Sequence, residues 1–216
     1  MSLYNAIIEA VTSGDSNKVQ FEVANALRAG SDPNKILKDG LLAGMEVVGK
    51  RFRAGDMFLP EVLLSAEVMH KGLDILNPLL SKSARKGVGT IVIGTVEGDI
   101  HDIGKKIVAL LLEGSGFSVI DLGVDVKVNS FIDAVEKHKP DILGMSALLT
   151  TTMPHMGEVI NILKEKKLRS KVKVVVGGAS VNDAFAKSIG ADGYAVEAGS
   201  GVELVKKMLK SEQRKK

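Results

Sequence analysis

Thr90-Ile-Val-Ile-Gly-Thr95-Val-Glu-Gly98-Asp99-Ile100-His101-Asp102-Ile103-Gly104 is the stretch on which the fold turns. The run Thr90–Thr95 is apolar and β-branched, which predicts a buried strand. A short polar loop follows, and helical spacing then predicts a helix from about Asp102 to Leu112. The same unit recurs downstream. Strands are predicted at Ser118–Asp121, Asp141–Ser146, Val172–Val176 and Gly193–Ala195. Helices are predicted over 127–138, 154–167, 180–189 and from about 200. Five strand–helix units imply an α/β fold, a flavodoxin- or Rossmann-like parallel sheet with helices on both faces. Ligands of such sheets bind outside the C-terminal strand ends. Those ends are Glu97–Gly104, Gly123–Val124, Ser146–Thr152, Gly177–Ala179 and Glu197–Gly201.

Upstream the periodicity is helical only. Ser2 can cap a first helix through about Thr12, and Asp15 or Ser16 a second that ends at Ala29-Gly30. Ser31-Asp32-Pro33 gives a cap followed by proline at the first helical position. The third helix carries Ile36, Leu37, Leu41, Leu42, Met45, Val48 and Phe52, and Gly55-Asp56 ends it. A fourth begins near Pro60 and runs through Val62, Leu63, Ala66, Met69, Leu73 and Leu76. Four helices with short loops predict a small antiparallel bundle. The polar run Ser81–Gly87 reads as a linker, dividing the chain into a helical domain over 1–86 and an α/β domain over 87–216.

Composition excludes several functions. The 216 residues contain no cysteine, so disulfides, thiolate metal sites and cysteine nucleophiles are ruled out. A net charge of +3, gathered largely in the C-terminal tail, is too small to imply nucleic acid. Aromatic residues at 4%, with no tryptophan, argue against stacking platforms for single strands. No apolar run has transmembrane length and no signal peptide opens the chain, so a cytoplasmic protein without membrane contact is expected. The methionines at 45, 57 and 69 read as core filler. His70, His138 and His155 fall on helices without a recognisable partner.

Asp99 and His101 stand two apart, which puts their side chains on one side of an extended loop. A carboxylate on one imidazole nitrogen fixes the tautomer and leaves the other nitrogen for a metal or a proton. Taken alone, Asp99-Ile-His101-Asp102 fits a hard-metal site, a general-base pair or a helix start capped by Asp102. The strand ends add context. Gly144-Met-Ser146-Ala-Leu148-Leu-Thr150-Thr-Thr152-Met153 presents hydroxyls, and Gly177-Gly178 permits close backbone approach.

Together, Asp99-x-His101-x-x-Gly104, Ser146-x-Leu148 and Gly177-Gly178 resemble the signature of the cobalamin-binding domains of methionine synthase, the B12-dependent mutases and the corrinoid proteins of methyltransferase systems. The intervening segments, 41 residues over 105–145 and 28 over 149–176, suit that family. Val47-Val-Gly-Lys-Arg-Phe52-Arg-Ala-Gly55-Asp-Met-Phe58-Leu59-Pro60-Glu61-Val62, with Ser65, Ala66 and Met69, looks like the helical cap that precedes the cobalamin domain in methionine synthase and in methylamine, methanol and methoxy-compound corrinoid proteins. The mutases lack this cap. The resemblance spans residues 1 to about 210, which leaves no room within the chain for a methyltransferase barrel.

The resemblance implies cobalamin, or a related corrinoid, bound with its own base displaced and His101 as the lower ligand to cobalt. Asp99 would hold the other imidazole N–H. A hydroxyl would hold Asp99 in turn; the family's serine, six residues after the Ser of Ser-x-Leu, is matched here by Thr152. His101, Asp99 and Thr152 are thus the expected relay. Gly98, Asp102, Ile103, Gly104, Ser146, Leu148, Thr150, Gly177 and Gly178 would line the cofactor's lower side, where glycines make room for the nucleotide tail. Phe52, Leu59 and Val62 of the cap would shield the methyl group, or serve only as bundle core. The implied function is a methyl carrier in one-carbon metabolism. Its partners would be a substrate-specific methyltransferase, a methyl-accepting methyltransferase and a reductive activation protein. A cobalamin-dependent sensor is the alternative, although no helix-turn-helix segment accompanies the two domains; a mutase small subunit fits less well.

Overall fold

The computed structural model describes residues 3–80 and 88–213. The Ser2 cap, the linker over 81–87 and the last basic residues lie outside them. By internal contacts the chain falls into two compact units, one of Met1–Val88 with Leu110–Phe117, the other of Gly89–Ala109 with Ser118–Lys216.

The first unit is helical. It comprises α1 (Leu3–Ser13), α2 (Ser16–Arg28), a turn of helix α3 (Pro33–Lys35), α4 (Ala43–Ala54) and α5 (Leu59–Leu76). Asp15 caps α2 through the Lys18 N–H at 2.9 Å. Asp32 caps α3 through the Asn34 N–H, with Pro33 at the start. The spacing predicts one regular helix from Pro33 to Phe52. Instead Ile36–Leu42 winds as a π-helix between α3 and α4, which shifts the phase of the apolar stripe. This segment and α4 pack tightly on α1: a Cβ at Gly44 would lie 2.8 Å from Val11. Gly55, at φ +78°, ends α4. Glu61 opens α5 by accepting the Phe58 N–H at 2.7 Å. Ile7, Val23, Ile36, Leu41, Val48, Val62 and Leu76 are fully buried, and Met45, Met57 and Met69 are buried with them.

The second unit is the α/β fold the alternation predicts. Its strands are β1 (Thr90–Thr95), β2 (Ser118–Asp121), β3 (Ile142–Ser146), β4 (Lys173–Gly177) and β5 (Gly193–Ala195). Its helices are α6 (Ile103–Glu113), of which the residues from Leu110 on are counted with the first unit, α7 (Val128–His138), α8 (Pro154–Glu165), α9 (Asp183–Ile189) and α10 (Ala198–Gln213). Most bounds fall within two residues of the sequence expectation. Helix α9 starts three residues late, because the Asn182 side chain caps it through the Phe185 N–H. All strand pairs are parallel, in the order β2-β1-β3-β4-β5. The central strands are nearly continuous apolar runs, as a sheet covered on both faces requires.

The strand order reverses between β1 and β3, so the ligand crevice of this fold class opens there. The register aligns that edge. Thr95 pairs with Ser146, Ser146 with Gly177, and Gly177 with Ala195. One row thus carries the C-terminal ends of four strands. Gly178, just past it, sits at φ +117°, and a Cβ there would meet the Ala147 carbonyl oxygen at 2.0 Å. The glycine is therefore required by this chain's own backbone as well as by any ligand. Gly178→Ala should cost about 2–3 kcal/mol of folding stability, read by chemical denaturation.

Candidate functional site

The site grows from the loop after β1. Gly98 takes φ +76°, and the chain doubles back so that the Asp99 N–H donates to the Val96 carbonyl at 3.1 Å. Asp99 Oδ1 then accepts the His101 N–H at 3.0 Å. This is an Asx-turn, not the extended loop that the two-residue spacing suggests. The same oxygen meets His101 Nδ1 at 2.7 Å. The second oxygen, Oδ2, reaches the loop after β3. It accepts the Leu148 N–H at 2.8 Å, the Leu149 N–H at 3.2 Å and the Thr152 hydroxyl at 2.9 Å. The Thr152 oxygen also lies 3.0 Å from the Leu149 carbonyl, which competes for its single hydrogen.

Asp99 is fully buried. Burial pushes its carboxyl up, but bonds from the His101 amide and imidazole, the Leu148 amide and the Thr152 hydroxyl outweigh this. Together they hold it well below the usual carboxylate range. An ionised Asp99 accepts only, so Nδ1 carries the imidazole hydrogen and Nε2 keeps a lone pair. The His101 side chain is 47% exposed, and Nε2 has no partner among the described residues. A neutral imidazole with a fixed tautomer and an accessible Nε2 is a metal ligand or a proton acceptor.

The other expected residues are placed as follows. Asp102 opens α6 through its backbone, its carbonyl accepting the Lys106 N–H at 2.8 Å, while its carboxylate pairs with Lys106 at 2.6 Å. Ile103 is exposed, and a Cβ on Gly104 would meet nothing within 4 Å. Ser146 is half-buried and Thr150 exposed; neither hydroxyl has a partner among the described residues. The Gly177 carbonyl accepts the Ala147 N–H at 3.1 Å. Phe52 lies in the last turn of α4, and Leu59 and Val62 in the first turn of α5, in the first unit. Val62 is fully buried there, whereas Phe52 and Leu59 are half-buried.

Two histidines have partners the sequence does not reveal. His155 Nδ1 lies 3.0 Å from Glu158 one turn on. His70 Nε2 lies 3.8 Å from the Glu113 carboxylate, whose negative charge raises its pKa against the effect of burial.

Sequence reasoning also misses two residues that hold the His101 loop, Thr95 and Asp125, and an ion pair beside it, Lys105 with Asp121. The buried Thr95 hydroxyl donates to the His101 carbonyl at 3.1 Å. Asp125 accepts the Gly98 N–H at 2.7 Å and gives its own N–H to the Asp99 carbonyl at 2.9 Å. The buried Lys105 ammonium pairs with both oxygens of Asp121 at the end of β2. Only the β-branched run at Thr95 carries any signal in the sequence, and it reads as strand. Finally, Ile100 and Ile103 are each 73% exposed, and Val124, Leu148, Leu149 and Val196 are also exposed. All follow strand ends, so a polar relay sits within a broken apolar rim. Such a rim suits a large, flat, partly apolar ligand.

Comparison with known proteins gives consistent results. The B12 binding domain family matches residues 89–205, and a second B12 binding domain family matches residues 3–77. The trimethylamine corrinoid protein of Methanosarcina barkeri is 47% identical over 204 residues, covering 93% of this chain and 94% of that protein. Among solved structures, the methanol:cobalamin methyltransferase complex of Methanosarcina barkeri superposes with a TM-score of 0.87 at 36% identity. It covers 96% of this chain and 80% of that one. A cobalamin-binding protein of Desulfitobacterium hafniense DCB-2 superposes with a TM-score of 0.77 at 33% identity, covering 94% and 97%. No described helix is long and apolar enough to cross a membrane.

The low pKa of Asp99 sets a pH dependence. Its folded value lies below its unfolded value of about 4, so its stabilisation is complete above that pH and is lost as pH falls toward the folded value. Asp99→Asn should destabilise the protein at pH 7 and flatten the acid limb below about pH 4. Denaturation midpoints from pH 3 to 7, compared with the wild type, check this.

Proposed function

This chain belongs to the B12-binding domain family, and from that premise we propose that it is a corrinoid methyl carrier. It would pass a methyl group between a substrate-specific methyltransferase and a methyl-accepting methyltransferase, with a reductive activation protein restoring it when needed. The observation that carries this reading is the bond that His101 Nδ1 donates to Asp99, which leaves Nε2 without a partner among the described residues on a half-exposed side chain, next to exposed apolar loop residues.

The residues present suit a corrinoid. The apolar side chains Ile100, Ile103, Leu148 and Leu149 would face the macrocycle, and the open space at Gly104 would admit its nucleotide tail. Ser146 and Thr150 have hydroxyls to spare for it. When bound, the corrinoid supplies a cobalt centre that takes up and gives up a methyl group.

His101 would be the lower ligand through Nε2. Asp99 would orient it, because a carboxylate bonded to Nδ1–H fixes the tautomer and the direction of the ring. Thr152 keeps that anion in place with its hydroxyl. Residues 1–86, which carry Phe52, Leu59 and Val62, would be the cap domain that shields the methyl group, and 87–216 the cofactor domain. Trimethylamine, dimethylamine, methanol and related methyl donors are the candidates for the source of the methyl group.

Purified protein mixed with hydroxocobalamin should bind one equivalent and show a base-off spectrum. Assayed with methyltransferases for methylamines and methanol, it should accept a methyl group from one of them. Stoichiometric binding without transfer to or from any partner, together with a light-dependent change in size of the adenosylcobalamin form, would instead indicate a sensor. Thr152→Ser should keep the base-off spectrum and transfer rate. Thr152→Val should slow transfer about tenfold, since it leaves a buried carboxylate oxygen short of a donor.

A further inference from the structure

Asp125 lies in the loop between β2 and α7, 27 positions along the sequence from Gly98. We propose that it is a positioning residue for His101, and that it sets which imidazole nitrogen is left free. The inference deepens the ligand role given to His101 above and rests on that reading for its meaning in the loaded protein.

The geometry is a two-point clamp. The Asp125 carboxylate accepts the N–H of Gly98 at 2.7 Å, and the Asp125 N–H donates to the carbonyl of Asp99 at 2.9 Å. The two bonds grip the Gly98–Asp99 pair at both ends. An isolated bridge between Val96 and Val126 fixes the neighbouring backbone on each side. Asp125 takes φ +52° to make both bonds, a conformation that aspartate tolerates better than most L-residues.

The clamp matters because the two oxygens of Asp99 are held differently. Oδ2 is tied to the loop after β3 by Leu148, Leu149 and Thr152. Oδ1 accepts both the backbone N–H and the Nδ1–H of His101, at 3.0 and 2.7 Å, so its aim follows the pose of the turn over residues 98–101. That backbone contains Gly98 at φ +76°, the residue with the most freedom to turn. Releasing the Gly98 N–H would let the Asp99 peptide rotate while Oδ2 stays anchored. Oδ1 would then lose its line to Nδ1, and the imidazole hydrogen would no longer be confined there.

Three variants separate the possibilities. Asp125→Gly keeps the left-handed backbone and the N–H bond to Asp99 but deletes the acceptor for Gly98. Asp125→Ala deletes the same acceptor on a different backbone. Asp125→Asn keeps the acceptor and removes the charge. Nitrogen-15 spectra of the histidine rings in the cofactor-free protein, at a pH where His101 is neutral, report the tautomer ratio directly. The wild type should be held in the Nδ1–H form. Asp125→Gly and Asp125→Ala should shift the ratio toward Nε2–H by about three- to tenfold, the effect of one hydrogen bond, and Asp125→Asn should retain it. Circular dichroism identifies any variant that fails to fold.

An unchanged ratio in folded Asp125→Gly or Asp125→Ala, with faster hydrogen exchange at Gly98, would overturn the proposal. So would an equal shift in Asp125→Asn, which would trace the effect to charge. In protein loaded with cob(II)alamin, Asp125→Gly should show a smaller histidine-ligated fraction by electron paramagnetic resonance. Should the wild type itself lack histidine ligation, the ligand role of His101 fails, while the tautomer ratio still decides the clamp.

Discussion

A carboxylate buried without a lysine or arginine bonded to it must be satisfied by hydrogen bonds, and Asp99 is satisfied by five. Its donors come from two loops: His101 from its own, and Leu148, Leu149 and Thr152 from the loop after β3. These loops flank the point where the strand order reverses. The buried anion therefore staples the two sides of the crevice together, since leaving any strong donor or acceptor unpaired inside costs more than the bond is worth. Most of what is distinctive about the edge serves this arrangement. The left-handed Gly98 turns the chain, the Thr95–Ser146–Gly177 register levels the strand ends, and Gly178 lets the loop at Ala147 approach.

The consequence is a histidine with little choice. Oδ1 and Nδ1 are 2.7 Å apart, and the anion can only accept. Nε2 is left without a partner among the described residues on a half-exposed side chain, and Ile100, Ile103 and Leu148 of the same two loops are exposed apolar side chains that water solvates poorly. A ligand that offers a metal and a broad apolar surface satisfies both features at once, which is why the corrinoid assignment of the family makes physical sense for these residues.

Much of this was legible from sequence, and the reasons are local. Strand β1 and the loop after it could be recognised because a β-branched run, a polar loop and a helical run are each properties of adjacent residues. Strands β2 and β5 were placed to the residue for the same reason. Asp99 and His101 stood out as a pair two positions apart, and Thr152 through a family resemblance. What escaped depends on contacts distant in sequence. The π-helical stretch Ile36–Leu42 arises where the chain crosses α1, and no spacing rule foresees it. Asp125 reads as an ordinary loop aspartate until the sheet brings it to Gly98, 27 positions away. Gly178 looked like space for a ligand, and its first obligation proved to be the Ala147 carbonyl. Glu113 and Glu158 could not be foreseen as partners of His70 and His155 because a histidine on a helix has many neighbours within reach.

The central claim is that the nitrogen left free by Asp99 is the one that binds cobalt. Protein produced with nitrogen-15 histidine and loaded with unlabelled cob(II)alamin tests it directly by electron paramagnetic resonance. Ligation by His101 predicts that the nitrogen splitting of the cobalt signal changes with the label and disappears in His101→Ala. A splitting that ignores the label, from the cofactor's own base, would contradict the account.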